Sequence, residues 1–151
     1  MRDLKKHSIN RWISILYRYG QSHISKQLES YNIGSGQYIF LLTLYRQDGI
    51  SQEEISDHLK IDKATTAKAI KRLEKEGYVK RDIDLKDKRA YRVFLTQKAH
   101  DIKSLIYNVL KNWSSVLSAG LSEIEKNTVL DLLSRMAENA SLYFGKKDIG
   151  I

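Results

Sequence analysis

Between Ser51 and Thr96 the spacing of hydrophobic residues changes from helical to alternating within one continuous stretch, which restricts the fold more than any other feature. After a turn at Ile61-Asp62, residues Thr66, Ala69, Ile70 and Leu73 fall at i, i+3, i+4 and i+7 and share one helical face. The opposite face carries Ala64, Thr65, Lys68, Lys71, Arg72 and Lys75. From Lys63 to Lys75 there are five basic residues against one acid, Glu74. A helix with a narrow apolar stripe and a cationic, small-residue outer face fits a DNA major groove, which bulkier side chains would obstruct. Taken alone, such a helix reads more simply as a solvated amphipathic surface. Its neighbours on both sides change that reading.

Upstream, Ser51-Gln52-Glu53-Glu54 has the form of a capping box, and the short helix it opens turns Ile55 and Leu59 inward. Asp62 is suited to cap the basic helix and Gly77 to end it. A short helix, a tight turn and a second helix with a basic face make a helix-turn-helix. Downstream, Val79, Arg81 and Ile83 alternate with Lys80 and Asp82; Tyr91, Val93 and Leu95 alternate with Arg92 and Phe94. Period-two spacing on either side of the polar tip Asp84–Arg89 predicts a two-stranded hairpin, a wing. From Lys80 to Arg92 it carries six basic residues and three acids. An arginine at such a tip suits a narrow minor groove, where negative potential is concentrated.

Long apolar stripes flank this segment. Ile9, Ile13, Leu16, Tyr17, Gly20, Ile24 and Leu28 predict a helix from about Leu4 to Ser30, with Trp12 and Tyr19 toward its flanks. Ser35 is a candidate N-cap for a second helix bearing Tyr38, Leu41, Leu42 and Tyr45, which stops at Asp48-Gly49. Thr96 is placed to cap a long fifth helix running to Gly120, and Ser122 opens a second capping box before the last helix. The expected order is four helices, a β-hairpin and two helices: a mostly α fold with a small β-hairpin wing. The stripes over 9–28 and 129–144 are too extensive for a lobe of this size to cover, so a second copy of the chain is the expected partner. A monomeric folded-back bundle is the alternative.

The 151 residues suit a single domain and carry a net charge of +8. Residues 1–45 contribute +4, residues 46–100 another +4 and the remainder none, so the excess lies in the first two thirds. That distribution points to a polyanion. The chain has no proline, hence no stiff extended linker, and no cysteine, which excludes disulfides and thiolate metal sites and fits a reducing cytoplasm. The start MRDLKKHSIN lacks the apolar run of a signal peptide. The longest apolar stretch, Tyr38–Leu42, is far short of the roughly 20 residues a membrane-spanning helix needs. His7, His23, His58 and His100 lack the i, i+4 pairing of a metal site, so no metal or cofactor is expected. Neither a Gly-rich phosphate loop nor a nucleophile-and-base arrangement is present, which argues against an enzyme.

Three segments together resemble the MarR (multiple antibiotic resistance regulator) family. They are Ile61-Asp62-Lys63-Ala64-Thr65-Thr66, the run from Leu73 to Arg81, and Asp84-Leu85-Lys86-Asp87-Lys88-Arg89 leading to Leu95-Thr96. The last is similar to the family's wing signature, with Lys86 in place of an arginine, and Ala99 stands where glycine is frequent. The resemblance covers nearly the whole of residues 1–151 and implies a winged helix-turn-helix lobe over 36–96, with dimerisation helices over 1–30 and 97–147. It implies a homodimeric, DNA-binding transcriptional regulator, usually a repressor of a pseudo-palindromic operator, released by a small and often aromatic ligand. Carried onto this chain, Lys63, Ala64, Thr65 and Lys68 are the base-reading positions. Arg89 is the minor-groove residue, and Asp87 braces it by an ion pair. Lys71 and Arg72, like Lys63 and Lys68, suit phosphate contacts, and Lys86 and Lys88 complete the wing set. Trp12, Tyr17, Tyr38, Tyr45, Tyr107 and Trp113 are candidates for an aromatic effector pocket, although aromatics at helical spacing are commonly core. A winged-helix module that binds a protein partner, without DNA affinity, is the alternative from another class.

Overall fold

The computed structural model describes residues 8–145. The expected helix start at Leu4 and the outer limit at 147 lie outside the described residues. The chain runs α1 (Ile9–Leu28), a 3₁₀ turn (Glu29–Tyr31), α2 (Tyr38–Arg46), β1 (Ile50–Ser51), α3 (Gln52–Leu59) and α4 (Lys63–Lys75). It continues through β2 (Val79–Ile83), β3 (Tyr91–Leu95), α5 (Gln97–Asp101), α6 (Lys103–Leu117) and α7 (Glu123–Tyr143). The fold is mostly helical with a small antiparallel sheet, as the sequence predicts.

Local chemistry sets most of these boundaries. At the start of α3 the Ser51 hydroxyl accepts from the Glu54 amide at 3.1 Å, while the Ser51 amide donates to Glu54 Oε2 at 2.7 Å. The same reciprocal box, built by Ser122 and Glu125, opens α7. Each box satisfies two of the amides that a helix start leaves without an intrahelical partner. The start of α2 departs from expectation. Its N-cap is Gln37, without a side-chain cap, and the Ser35 amide donates instead to Ser25 Oγ in α1 at 3.3 Å. Tertiary packing against α1 has taken the role that local capping was expected to fill.

The expected single helix from Thr96 to Gly120 is broken at Ile102, whose backbone (φ −98°, ψ 1°) leaves the helical region. The Tyr45 hydroxyl donates to the Ala99 carbonyl, the acceptor that an unbroken helix offers to Lys103. Ala99 and Ile102 stay buried in the lobe, and α6 then packs against α1. At that crossing Gly20 lets the helices meet closely: a Cβ there would lie 3.1 Å from Trp113 Nε1, and His23 stacks on the Trp113 ring with centroids 5.1 Å apart.

A second departure concerns the sheet. The wing is a three-stranded sheet of order β1-β3-β2, not an isolated two-stranded ribbon. Ile50 pairs with Val93, and Val79 pairs with Leu95. β1 is only two residues long, too short for any periodicity to reveal it. It is secured by the Gly49 amide donating to the Val93 carbonyl at 3.0 Å and by Asp48, whose carboxylate accepts from the Gly49 and Leu95 amides.

A continuous core joins Phe40, Leu41 and Leu44 of α2, Ile55 of α3, Ile70 and Leu73 of α4, and Tyr78, Val93 and Leu95 of the wing. It does not stop at the limits 36 and 96: Ile24 and Leu28 of α1 and Ile106 and Val109 of α6 belong to it. Beyond that core the outer helices are bare. Ile9, Trp12, Ile13, Leu16 and Tyr17 are exposed on the first half of α1, and α7 buries none of its residues.

Gly49 adopts φ +71°, and a Cβ at that position would come within 2.7 Å of Phe94 Cε1. A non-glycine residue in this region costs about 1–2 kcal/mol before any displacement of the ring. Gly49→Ala is therefore expected to lower the unfolding free energy by at least that amount, seen as a lower urea midpoint at unchanged m-value when followed by circular dichroism. An unchanged midpoint would contradict the strain assigned here.

Candidate nucleic-acid interface

Asp62 organises the start of α4. One carboxylate oxygen accepts from the Thr65 amide at 2.8 Å and the other from the Thr65 hydroxyl at 2.7 Å. These bonds, the hydroxyl foremost, hold the Asp62 carboxyl below its usual range. They also commit the Thr65 proton. Its outward oxygen is left as an acceptor beside a methyl group, a pairing suited to an adenine or cytosine amino group or to a thymine methyl. Ala64, Thr65, Lys68, Lys71 and Arg72 are all exposed, while Thr66, Ala69, Ile70 and Leu73 on the opposite side are buried. Lys63 is exposed as well, with its ammonium 3.0 Å from Glu53 of α3. The helix thus has the two faces the spacing predicts.

The wing is fastened to α4 by one forked pair. Arg81 Nε and Nη2 donate to Glu74 Oε2 and Oε1 at 3.1 and 3.0 Å, and the guanidinium lies 5.0 Å from the centre of the Tyr91 ring. The Arg81 hydrogen bond is the main reason the Glu74 carboxyl is held low. A second arginine supports the tip. Arg92 Nη1 donates to the Gly49 carbonyl at 2.7 Å, and its Nε donates to Asp84 Oδ2 at 3.1 Å. Asp84 also accepts from the Lys86 amide at 2.8 Å, which together with Arg92 holds its carboxyl low. In the sequence Asp84 stands only as part of the polar tip and Arg92 only as one charge among several. No local signal marks this linkage, since its partners are 8 and 43 residues apart.

The tip closes through the Asp84 amide donating to the Ala90 carbonyl and the Ala90 amide to the Asp87 carbonyl, each at 2.9 Å. Lys86, Lys88 and Arg89 are exposed on it. The expected ion pair between Asp87 and Arg89 is corrected. Asp87 Oδ1 accepts from the Arg89 backbone amide at 3.0 Å, and among the described residues no ion pair joins the two side chains. A carboxylate two residues ahead reaches a turn amide more readily than the end of a long side chain. The brace acts on the main chain, and the guanidinium projects freely.

The candidate effector aromatics are spread over several environments. Trp12 and Tyr17 are exposed on α1, and Trp113 packs on Gly20 and His23. Tyr38 is half-buried, its hydroxyl pushed up by burial and then by Tyr17. Tyr45 is held at Ala99, its pKa pushed up to about 12 by burial and then by Tyr107 and Tyr78. A cleft of about 440 Å³ lies between α2, α3 and α6, bordered by Ile39, Arg46, His58, Leu59, Tyr107 and Leu110 among others. Of the candidates only Tyr107 lines it; Arg46 and His58 were not singled out from the sequence. Among the described residues no group of three or more His, Asp or Glu side chains is placed to hold a metal.

Comparison with known proteins agrees with this geometry. The model of the MarR family matches residues 33–91. The chain is 30% identical over 131 residues to YybA, an uncharacterized HTH-type transcriptional regulator of Bacillus subtilis, covering 87% of each chain. A MarR transcriptional regulator from Methanosarcina mazei is similar in structure, with a TM-score of 0.84 and 48% identity over 87% of this chain and 95% of that one. A MarR family regulator from Listeria monocytogenes, solved with a 26mer DNA, has a TM-score of 0.82 and 30% identity, covering 93% of this chain and 97% of that one.

The Glu74–Arg81 pair has a testable pH signature. Because the folded-state pKa of Glu74 is lowered, its contribution is present above the ordinary value of 4.5 and is lost as pH falls through the folded value. Glu74→Gln is expected to cost about 0.2–1 kcal/mol at neutral pH, the range of partly exposed pairs. The variant and the parent should converge in urea titrations carried out well below pH 4.5. A gap that persists in acid would mean that the pair does not link α4 to the wing.

Proposed function

The chain belongs to the MarR family of transcriptional regulators, and we propose that it is a homodimeric repressor that grips a pseudo-palindromic operator and lets go when a small ligand binds. The family is one of regulators, not of enzymes. The observation that carries the proposal is a pair of exposed cationic elements: the outer face of α4, and Lys86, Lys88 and Arg89 on the wing that Arg81 and Glu74 tie to it. Major and minor grooves alternate along a duplex, so a helix and a ribbon held side by side can address adjacent grooves. In this reading Ala64 and Thr65 meet base edges. Lys63, Lys68, Lys71 and Arg72 meet phosphates, and Arg89 enters the minor groove.

Dimerisation is supported by the bare apolar faces of the outer helices. Ile13, Leu16, Val129, Leu132 and Leu133 are each 43–47% exposed in the isolated chain. Patches of that extent on a single protein mark an interaction surface. A two-fold axis through these helices would also present two copies of α4 to successive major grooves, about 34 Å apart. Among the described residues no helix is long and apolar enough to cross a membrane, and a protein that acts on chromosomal DNA belongs in the cytoplasm. For release, the cleft between α2, α3 and α6 suits a compact organic acid, with Ile39, Leu59 and Leu110 around its body and Arg46 and His58 near its charge.

Binding through several phosphates makes affinity fall steeply with salt, by about a thousandfold or more between 50 and 200 mM for six or more contacts. Fluorescence anisotropy on a duplex selected from random DNA should show that dependence. Arg89→Ala is expected to weaken binding by about 1–3 kcal/mol and to flatten the salt slope by about one. No affinity for any duplex at low salt would leave the protein-partner reading in its place.

A further inference from the structure

The wing tip carries a feature that charge does not explain. Leu85 is 98% exposed, the most exposed large hydrophobic side chain among the described residues, and Ile83 at the end of β2 is 58% exposed. Both border one hollow on the wing, together with Lys86 and Arg92. Two aspartates also border it, and both have cationic partners: Asp84 is paired with Arg92 at 3.1 Å, and Asp82 lies 3.9 Å from Lys80. Leu85 and Arg89 hold matching places on the loop, each one residue inside the closing pair Asp84–Ala90. An exposed apolar residue and an exposed arginine thus hold paired positions on one loop, with Lys86 and Lys88 between them in sequence.

From this placement we infer that Leu85 is a minor-groove contact that packs against the deoxyribose walls or a base step beside Arg89. The inference rests on the DNA-binding reading above and goes beyond it by assigning an apolar element to a wing so far described only by charge. The cations select the occupant: a protein surface that matched an exposed leucine would have little use for Lys86, Lys88 and Arg89 on the same short loop, whereas a minor groove joins phosphates to apolar sugar edges. Proteins that use this groove commonly press leucine, isoleucine or phenylalanine against base steps. The loop is well built for such pressure. Asp84 is anchored through Arg92 to the Gly49 carbonyl, and Asp87 holds the Arg89 amide, so the tip is tied at both ends.

The test uses the full chain and a fluorescein-labelled duplex recovered by selection from random DNA. Leu85→Ala is expected to weaken binding about tenfold, in keeping with about 1.4 kcal/mol from burying part of a leucine. Its salt slope should equal the parent's, because no phosphate contact is lost, whereas Arg89→Ala lowers the slope. Thermal stability should not change, since Leu85 is exposed, and Leu85→Met should retain parental affinity. Leu85→Ala binding within twofold of the parent overturns the inference while leaving the DNA-binding reading intact. A lowered salt slope in Leu85→Ala also overturns it, because the residue would then act through the placement of the cations. If the parent protein binds no duplex, both readings fall together.

Discussion

Burial of Ala69, Ile70 and Leu73 is the constraint on which the rest of the structure depends. A helix has one surface, and once that stripe is fixed against α3 and the shared core the opposite residues have no choice of direction. Thr65, Lys68, Lys71 and Arg72 face outward as a consequence of what lies beneath them. The same core sets the wing, because Tyr78 and Val79 follow directly from α4 and pair into the sheet under Leu95. One hydrophobic commitment therefore orients both candidate DNA-contacting elements.

Around that core, acidic residues place the basic ones. Glu74 fastens Arg81 and with it the root of the wing; Asp84 fastens Arg92 and with it the tip; Asp62 fixes Thr65, and Asp87 fixes the Arg89 main chain. Charges used internally in this way do not contribute freely to an external field. The free cations are correspondingly concentrated on the outer face of α4 and on the loop 85–89. The surplus of +4 over residues 46–100 understates this local asymmetry, since ten acids are counted there and many of them already have partners.

Much of this architecture was legible in the residues because it is encoded locally. Ser51–Glu54, Asp62, Gly77 and the i, i+3, i+4, i+7 stripe act within one turn of helix, and period two acts within one hairpin. What could not be read is long-range. The break at Ile102 coincides with a Tyr45 hydroxyl that donates to the Ala99 carbonyl 54 residues away, and β1 exists only because Val93 is there to pair with it. The Asp87–Arg89 contact was expected between the right residues but with the wrong atoms. The aromatics show the opposite limit: Trp12, Tyr17, Tyr38, Tyr45 and Trp113 are alike in composition, and only three-dimensional placement separates exposed helix surface from packing residues. The cleft residues Arg46 and His58 have no pattern in the chain that joins them.

Hydroxyl-radical footprinting on a selected duplex tests the central claim most directly, because it reads how many recognition elements engage DNA and at what spacing. The account predicts two protected regions related by two-fold symmetry, about 10 base pairs apart from centre to centre, each flanked by minor-groove protection from a wing. A single unsymmetrical patch, or two patches at a separation that successive major grooves cannot supply, would contradict it.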